Sequence, residues 1–379
     1  MRFRNTTYLP LKTESFPYFY KKDQLVLLKE ELEEFLDGPG KYLDNRNLAE
    51  KFLGCQEIQA NNSIEGYNDD VEVIKEVITN DYSHLADEKR KRVITNLYDG
   101  YQMILKQPKI TPMNLRKLYD MLSKGLLNDY DVSNMGKFYR NGPVYIYYSK
   151  DLAKEPDDGI GACYVEEYMD SLFEYLDNDN EFETATDYFI KSQIVHFYLV
   201  YVHPYFDVNG RTSRTLALWY LLNNKANSYV IFNRAIPLSK NKYYKVIRDV
   251  KKFKNATYFL NFMMENVKLE LEKEYLINSI SESLNEELSF QDYQTLQYIL
   301  SMNGNLTCKD FATFYNHFNA KKKVEVIDKE MLLPLIDKKV LKVLRYTNTG
   351  LGFDKNNYVF EVNKNMMDND PCKIKRLKK

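Results

Sequence analysis

Apolar residues recur at three- and four-residue spacing over most of residues 20–280, which is the pattern of amphipathic helices. This spacing predicts helices near 23–36, 45–65, 69–79, 86–106, 112–123, 163–177, 184–203, 210–223, 240–252 and 256–276. Residues 188–202 and 215–222 are apolar nearly all round, so both segments are expected to be buried. Before position 280, only residues 137–148 are rich in aromatic and β-branched residues, around Asn141-Gly142, which predicts a β-hairpin. We therefore expect a mainly α-helical protein.

The pattern changes after about residue 280. Helices are predicted near 288–301, 308–316 and 327–336, and strands at 340–346 and 358–362. Three short helices followed by a hairpin are typical of a winged helix, a module that binds either DNA or other proteins. The lysines at 321–323 and 338–339 cluster only modestly, so DNA stays an open alternative as the partner of this part.

Charge, hydropathy and cysteine content exclude several classes of protein. The 379 residues include 53 Lys and Arg against 54 Asp and Glu, which argues against a globally basic nucleic-acid coat protein. No apolar run approaches the roughly 18 residues that span a bilayer, and the first residues lack the apolar stretch of a secretion signal. The four cysteines show no CxxC spacing. We therefore expect a cytoplasmic protein with no membrane partner, no disulfide framework and no zinc site.

The most informative segment lies between the two helices that are apolar all round. Arg211 and Arg214 fall in the first turn of the second helix, three residues apart and on one face. A helix N-terminus carries partial positive charge and unpaired N–H donors, so two cations there are unfavourable unless an anion fills the site. Together with the backbone at Asn209 and Gly210, these arginines predict a polyphosphate site.

Two further groups next to this site suggest chemistry. Asp207 precedes the phosphate-binding turn, and a carboxylate beside phosphates is the usual way to hold Mg²⁺. His203 ends the first buried helix, and its ordinary pKa near neutrality suits a general base. A metal, a phosphate site and a base within twelve residues indicate transfer of part of a nucleotide to a hydroxyl.

A glutamate elsewhere in the chain lacks a local partner. Glu65 precedes Gly66 at the expected end of a helix, where the helix dipole disfavours an anion. If Glu65 paired with one of the two arginines, the unfavourable charge at each of the two helix ends would be compensated. Glu65 would then also occupy the place of a terminal phosphate, so it is a candidate inhibitory residue.

These residues resemble the Fic (filamentation induced by cAMP) family, whose signature is H-[FY]-x-[DE]-G-N-G-R-x-x-R. The signature stands here over residues 203–214, with Pro204 after the histidine. Residues 133–146 are similar to the family's β-hairpin flap, and residues 63–66 to its inhibitory helix. The resemblance implies an N-terminal helical region at 1–105 with an inhibitory helix near 56–66, and a Fic core at 106–278. A winged-helix-like domain at 279–365 and a basic tail at 366–379 complete the expected organisation.

The family's activity implies a protein adenylyltransferase (AMPylator) that uses ATP and Mg²⁺. The resemblance implies that His203 deprotonates the hydroxyl of a target protein and that Asp207 holds Mg²⁺. It implies nucleotide contacts for a larger set: Asn209, Gly210, Arg211, Arg214, Tyr243 and Tyr244. Glu65 would block the γ-phosphate position at Arg214, and Val144, Tyr145 and Ile146 would dock the target as an added strand. The implied partners are a Ser, Thr or Tyr side chain of a target protein and the chain itself, with a homodimer as an open alternative.

Two positions depart from the family pattern. Val208 replaces the first glycine of the signature loop, and a β-branched residue is strained by about 1–2 kcal/mol if that position needs a positive φ. Asn61 stands where the inhibitory motif has Ser or Thr. Two alternatives therefore stay open: a Fic-type enzyme with another donor or with de-AMPylating activity, and a catalytically impaired regulator that senses nucleotides or binds DNA.

Overall fold

The computed structural model describes residues 5–38, 53–79, 87–146, 156–178, 184–286, 288–302, 305–319, 321–346 and 358–363. It is mainly α-helical, as predicted. The chain forms two compact units, Met1–Glu270 and Leu271–Lys379. In the part of the chain that is described, no helix has the length and apolar character needed to cross a membrane.

The helices of the first unit follow the predicted order closely. They are Val26–Asp37, Cys55–Glu65, Val71–Ile78, Glu88–Ile104, Pro112–Ser123, Asp129–Asn134, Val165–Leu176, Ala185–Val202, Asn209–Asn223 and Lys240–Phe253, with Thr257–Leu284 running across the division between the units. The helix predicted over 45–65 begins only at Cys55, with Gly54 in extended conformation as its N-cap, and residues 39–52 lie outside the described part. The helical elements that were not predicted include the short helix Asp129–Asn134 and a 3-10 helix, Asn227–Ala235.

Two adjacent helices form the centre of this unit. We call Ala185–Val202 the histidine helix and Asn209–Asn223 the arginine helix. Both are buried on nearly all sides, which confirms the expectation from their apolar composition. The histidine helix begins with a capping box in which Thr184 and Asp187 bond each other's backbone N–H. The two helices pack on each other, so the loop at 203–208 that joins them is anchored at both ends.

The strands of the first unit differ from the prediction. Thr6–Tyr8 and Phe19–Lys21 form an antiparallel pair, so the expectation of a single extended stretch before residue 280 was wrong. The hairpin predicted around Asn141-Gly142 was also wrong, since Tyr145–Ile146 pairs antiparallel with Asp157–Asp158. Residues 141–142 instead lead into the first strand of that pair, and residues 147–155 lie outside the described part.

The second unit contains Phe290–Ser301, Cys308–Phe318, Val324–Ile327 and Leu333–Asp337 as α-helices, with a π-helical turn at Asp328–Leu332. Its sheet is antiparallel, with Tyr358–Val362 between Leu306–Thr307 and Leu341–Tyr346. Buried residues from both the helices and the sheet, among them Phe311, Leu335 and Phe360, form its core. The winged-helix interpretation of this unit stays a prediction, and the basic tail at 366–379 lies outside the described residues.

Candidate active site

The loop at 203–208 turns through two residues with left-handed backbone. His203 ends the histidine helix with φ 52° and ψ 58°, and Val208 precedes the arginine helix with φ 65° and ψ 9°. The strain anticipated for Val208 is therefore present, at about 1–2 kcal/mol. The Asn209 side chain braces the loop, because its Oδ1 accepts from the Tyr205 N–H at 3.1 Å and its Nδ2 donates to the Tyr205 carbonyl at 2.8 Å.

His203 is held as a neutral base. Its Nδ1 lies 3.2 Å from the Val200 carbonyl oxygen, which can only accept, so Nδ1 carries the proton and Nε2 keeps its lone pair. Burial lowers the pKa of the imidazole to about 4, and the nearby Arg140 cation acts in the same direction. The ring is therefore unprotonated at neutral pH, as a general base must be.

The N-terminus of the arginine helix lies beside Asp207. This carboxylate is exposed, and its Oδ1 accepts from the Val208 N–H at 2.6 Å. The N–H groups of residues 209–211 belong to the first helical turn and have no acceptor within the helix. Among the described residues, no three His, Cys, Asp or Glu side chains gather closely enough to hold a metal ion by themselves. A single exposed carboxylate beside the predicted phosphate site nevertheless fits Mg²⁺, which takes one or two carboxylates and completes its shell with phosphates and water.

Arg211 is a buried cation whose hydrogen-bonding capacity is not used. It is 6% exposed, and its Nε and Nη1 are buried without a hydrogen-bond partner in the described part of the chain. Burial lowers the pKa of this guanidinium, although the carboxylates of Glu65 and Asp207 oppose the effect. Unsatisfied buried donors on a charged group are costly, which points to an anionic ligand at this position.

Arg214, in contrast, is paired with the helix Cys55–Glu65, which we call the Glu65 helix. Its Nη2 lies 2.5 Å from Glu65 Oε1, and its Nε donates to Asn61 Oδ1 at 2.9 Å. Burial alone would raise the pKa of Glu65, but the Arg214 cation outweighs it and holds the pKa below its ordinary value. A Cβ at position 210 would lie 2.7 Å from Glu65 Oε1, so glycine at 210 permits this approach. The pairing proposed from the unpartnered Glu65 is thus present.

Residues 161–221 match the family model named Fic/DOC family. This chain contains a Fic domain. The chain is also similar to the crystal structure of a Fic family protein from Desulfovibrio desulfuricans G20, with 18% identity over 90% of this chain and 95% of that one and a TM-score of 0.55. A Fic domain containing signaling protein from Bacteroides thetaiotaomicron VPI-5482 has 16% identity over 63% of this chain and 95% of that one, with a TM-score of 0.43. A comparison with curated proteins finds no match.

The Glu65 helix packs on the rest of the first unit through polar side chains as well as through the buried Ile58 and Ile64. Asn61, fully buried, donates to the Tyr101 hydroxyl at 2.9 Å while it accepts from Arg214. Glu57, one helical turn earlier, accepts from Asn233 Nδ2 at 2.5 Å, and burial raises its pKa to about 8. Asn61 was singled out in the sequence only as a departure from the family motif. Its role as an Arg214 partner was not predicted, because that contact joins residues far apart in the chain.

The two predicted nucleotide-binding tyrosines, Tyr243 and Tyr244, both lie close to Arg214 and the Glu65 helix. The Tyr243 hydroxyl lies 2.8 Å from Nε2 of His196, whose pKa burial lowers to about 3. The Tyr244 hydroxyl donates to the Ile64 carbonyl at 2.9 Å, near the end of the Glu65 helix. A nucleotide contact for either tyrosine stays a prediction.

The predicted docking residues lie in residues 141–146, which we call the flap segment. Tyr145 is 58% exposed, whereas Val144 and Ile146 are buried. The Gly159 N–H donates to the Val144 carbonyl at 3.0 Å, so the strand pair with Asp157–Asp158 continues on this side. Sequence reasoning missed Arg140, which precedes the flap segment and is buried against His203.

Proposed function

We propose that this chain is a Mg²⁺-dependent protein adenylyltransferase that transfers AMP from ATP to a hydroxyl of a target protein or of itself. The observation that carries the proposal is Arg211, whose buried Nε and Nη1 have no partner in the described structure beside a helix N-terminus. An anion of several negative charges satisfies the guanidinium and the backbone donors at once. A neutral His203 at the other end of the same loop supplies the base.

In this proposal the residues of the loop and of the first turns of the arginine helix have separate roles. Gly210, Arg211 and the N–H groups of the first helical turn bind the α- and β-phosphates, and Arg214 binds the γ-phosphate. Asp207 holds Mg²⁺, which when bound offsets the negative charge of the phosphates. The Asn209 side chain shapes the loop, since both of its polar atoms are bonded to Tyr205.

The transfer step balances as a substitution at phosphorus. The target hydroxyl gives its proton to Nε2 of His203, and its oxygen forms a bond to the α-phosphorus. The bond between the α-phosphorus and the bridging oxygen breaks, and pyrophosphate leaves with that electron pair. The products are an AMP ester of the target and pyrophosphate. In our proposal, a target segment joins the flap segment as an added strand and brings its hydroxyl to His203.

Glu65 restrains this activity in the proposal. It pairs with Arg214 at 2.5 Å, so a γ-phosphate has to displace it to reach the same cation. The Glu65 helix is held by polar contacts of Glu57 and Asn61 besides its buried isoleucines, and the polar bonds that break on displacement can be replaced by water. The pair therefore acts as an internal competitor of the terminal phosphate.

One observation favours an active enzyme over an impaired regulator. Val208 adopts φ 65° and ψ 9°, the left-handed conformation that glycine adopts readily, and its side chain is buried. The loop thus keeps the backbone conformation that a glycine at position 208 would adopt, at a cost in stability. Contacts to the phosphates do not distinguish one nucleobase from another, so a nucleotide other than ATP stays the second candidate donor.

The proposal is tested by peptide mass spectrometry after incubation with ATP and Mg²⁺. We expect AMP on the wild type, more AMP on Glu65→Gly and none on His203→Ala. Competition with GTP and CTP in the same reaction identifies the donor. A Glu65→Gly protein that binds ATP but carries no AMP, alone or with candidate targets, would contradict the proposal.

A further inference from the structure

Arg140 is a buried cation that lies between the flap segment and the proposed base. It is 1% exposed and ranks among the largest fully buried side chains of the described chain. No carboxylate of the described residues forms an ion pair with it, and burial lowers its pKa to about 10. Because burying an arginine without a counter-ion is costly, its partners have to compensate through hydrogen bonds.

Each of the three guanidinium nitrogens of Arg140 donates to a carbonyl of a different segment. Nε donates to the His203 carbonyl at 2.7 Å, and Nη1 donates to the Gly142 carbonyl at 2.7 Å. Nη2 donates to the carbonyl of Ile160, just beyond the partner strand. The backbone N–H of Arg140 also donates to the Pro204 carbonyl at 3.0 Å. One side chain thus joins the flap segment, its partner strand and the residue that carries the imidazole.

The local sequence leaves little freedom in this arrangement. A Cβ at position 159 would lie 2.5 Å from a methyl carbon of Val144 and 3.2 Å from Nη2 of Arg140, so glycine lets the partner strand approach both. His203 has left-handed backbone and ends its helix, so its carbonyl is available to Arg140. The planar, forked guanidinium can serve three divergent acceptors, whereas a lysine ammonium at the same place cannot reach all of them.

We propose that Arg140 is a positioning residue that fixes the distance between the flap segment and His203. This inference rests on the proposed function for its catalytic meaning, because the flap segment there presents the target hydroxyl to the base. Arg140 does not touch the reacting atoms. It acts by holding the carbonyl of His203 and that of Gly142 on the same group.

The first test is independent of enzymatic activity. Hydrogen exchange followed by mass spectrometry compares wild type, Arg140→Met and Arg140→Lys. We expect exchange to rise about tenfold or more in both 141–146 and 203–208, as the loss of charge-assisted hydrogen bonds predicts. The matched control is Arg116→Lys, since Arg116 Nη1 donates to the Gly136 and Lys137 carbonyls ahead of the flap segment. We expect this variant to change exchange near 136–137 alone. A rise in only one of the two segments, or throughout the first unit in both Arg140 variants, would overturn the proposal.

The second test separates positioning from general structure. On the Glu65→Gly background, Arg140→Lys should lower self-transfer of AMP by about tenfold to a hundredfold, the penalty of a misplaced nucleophile. The dissociation constant of ATP should change by less than about twofold, because the phosphate-binding groups lie on the arginine helix. Equal losses of ATP affinity and transfer would contradict a positioning role. If the Glu65→Gly parent binds ATP but transfers no AMP to itself or to candidate targets, the proposed function fails, and the exchange experiment still decides the role of Arg140.

Discussion

Replacing Glu65 by glycine should raise the affinity for ATP by removing its internal competitor. In the Glu65–Arg214 pair, Nη2 of Arg214 lies 2.5 Å from Oε1 of Glu65. The arginine side chain is 1% exposed and the glutamate side chain is 31% exposed. Exposed pairs contribute about 0.2–1 kcal/mol, and breaking fully buried ones costs about 3–5 kcal/mol. Solvent screening at the partly exposed glutamate places the contribution of this pair at about 2 kcal/mol, which corresponds to about 30-fold in a dissociation constant.

Calorimetric titration with ATP and Mg²⁺ measures this change, on a His203→Ala background that prevents turnover. We expect the Glu65→Gly variant to bind ATP up to about 30-fold more tightly than its parent. ADP lacks the terminal phosphate that competes with Glu65, so its affinity should change by less than about threefold. The free energy of unfolding without nucleotide should fall, because Arg214 is then a buried cation without its carboxylate.

A matched control separates charge from helix stability. Glycine at the last helical position costs about 0.5–1 kcal/mol by itself, whereas Glu65→Gln keeps the side chain and removes only the charge. We expect the glutamine variant to fall between the parent and Glu65→Gly in ATP affinity. An unchanged affinity for ATP in both variants, or an equal gain for ADP, would refute competition between Glu65 and a γ-phosphate.

Three further predictions follow from the same contacts. Val208→Ala keeps the strain of the left-handed backbone, whereas Val208→Gly removes it. In denaturant unfolding, the glycine variant should therefore be about 1 kcal/mol more stable than the alanine variant. Equal stabilities of the two variants would contradict the assigned backbone strain. The pKa of His203, lowered to about 4, predicts that an NMR titration finds its ring neutral at pH 5. Because the unfolded chain takes up this proton near pH 6.5, the free energy of unfolding should fall from about pH 6.5 to about pH 4, and a folded-state midpoint near 6.5 would disprove the shift. Tyr244→Phe removes the hydroxyl that donates to the Ile64 carbonyl, so self-transfer should rise about twofold to tenfold in a mass-spectrometric time course, and no rise would exclude this bond from the restraint.

The central helices were predictable because their apolar residues cover nearly every face. The histidine helix at Ala185–Val202 and the arginine helix at Asn209–Asn223 lie within one residue of their predicted bounds. The strands were not predictable in this way. Thr6–Tyr8 and Phe19–Lys21 have three residues each, too few for an alternating pattern to emerge. The partner strand of the flap segment, Asp157–Asp158, consists of two acidic residues that β-propensity disfavours.

In the candidate site, too, contacts between residues close in sequence were predictable, whereas contacts between residues far apart in the chain were not. His203, Asp207 and the arginines stand in one motif, so their proximity follows from spacing along a loop and a helix turn. Arg140 reaches a carbonyl 63 residues away, and Asn61 reaches a guanidinium 153 residues away. Backbone carbonyls carry no sequence signal, so no motif search reveals that Arg140 binds three of them.

Incubation with labelled ATP is the most direct test of whether the 203–208 loop transfers AMP. Glu65→Gly protein and Glu65→Gly,His203→Ala protein are incubated with Mg²⁺ and ATP that carries the label either on the α-phosphate or on the γ-phosphate. We expect that the α-label stays on the protein when His203 is present, that the γ-label leaves in pyrophosphate, and that the double variant retains neither label. Retention of the γ-label, or α-label incorporation that survives His203→Ala, would contradict transfer of AMP by this loop.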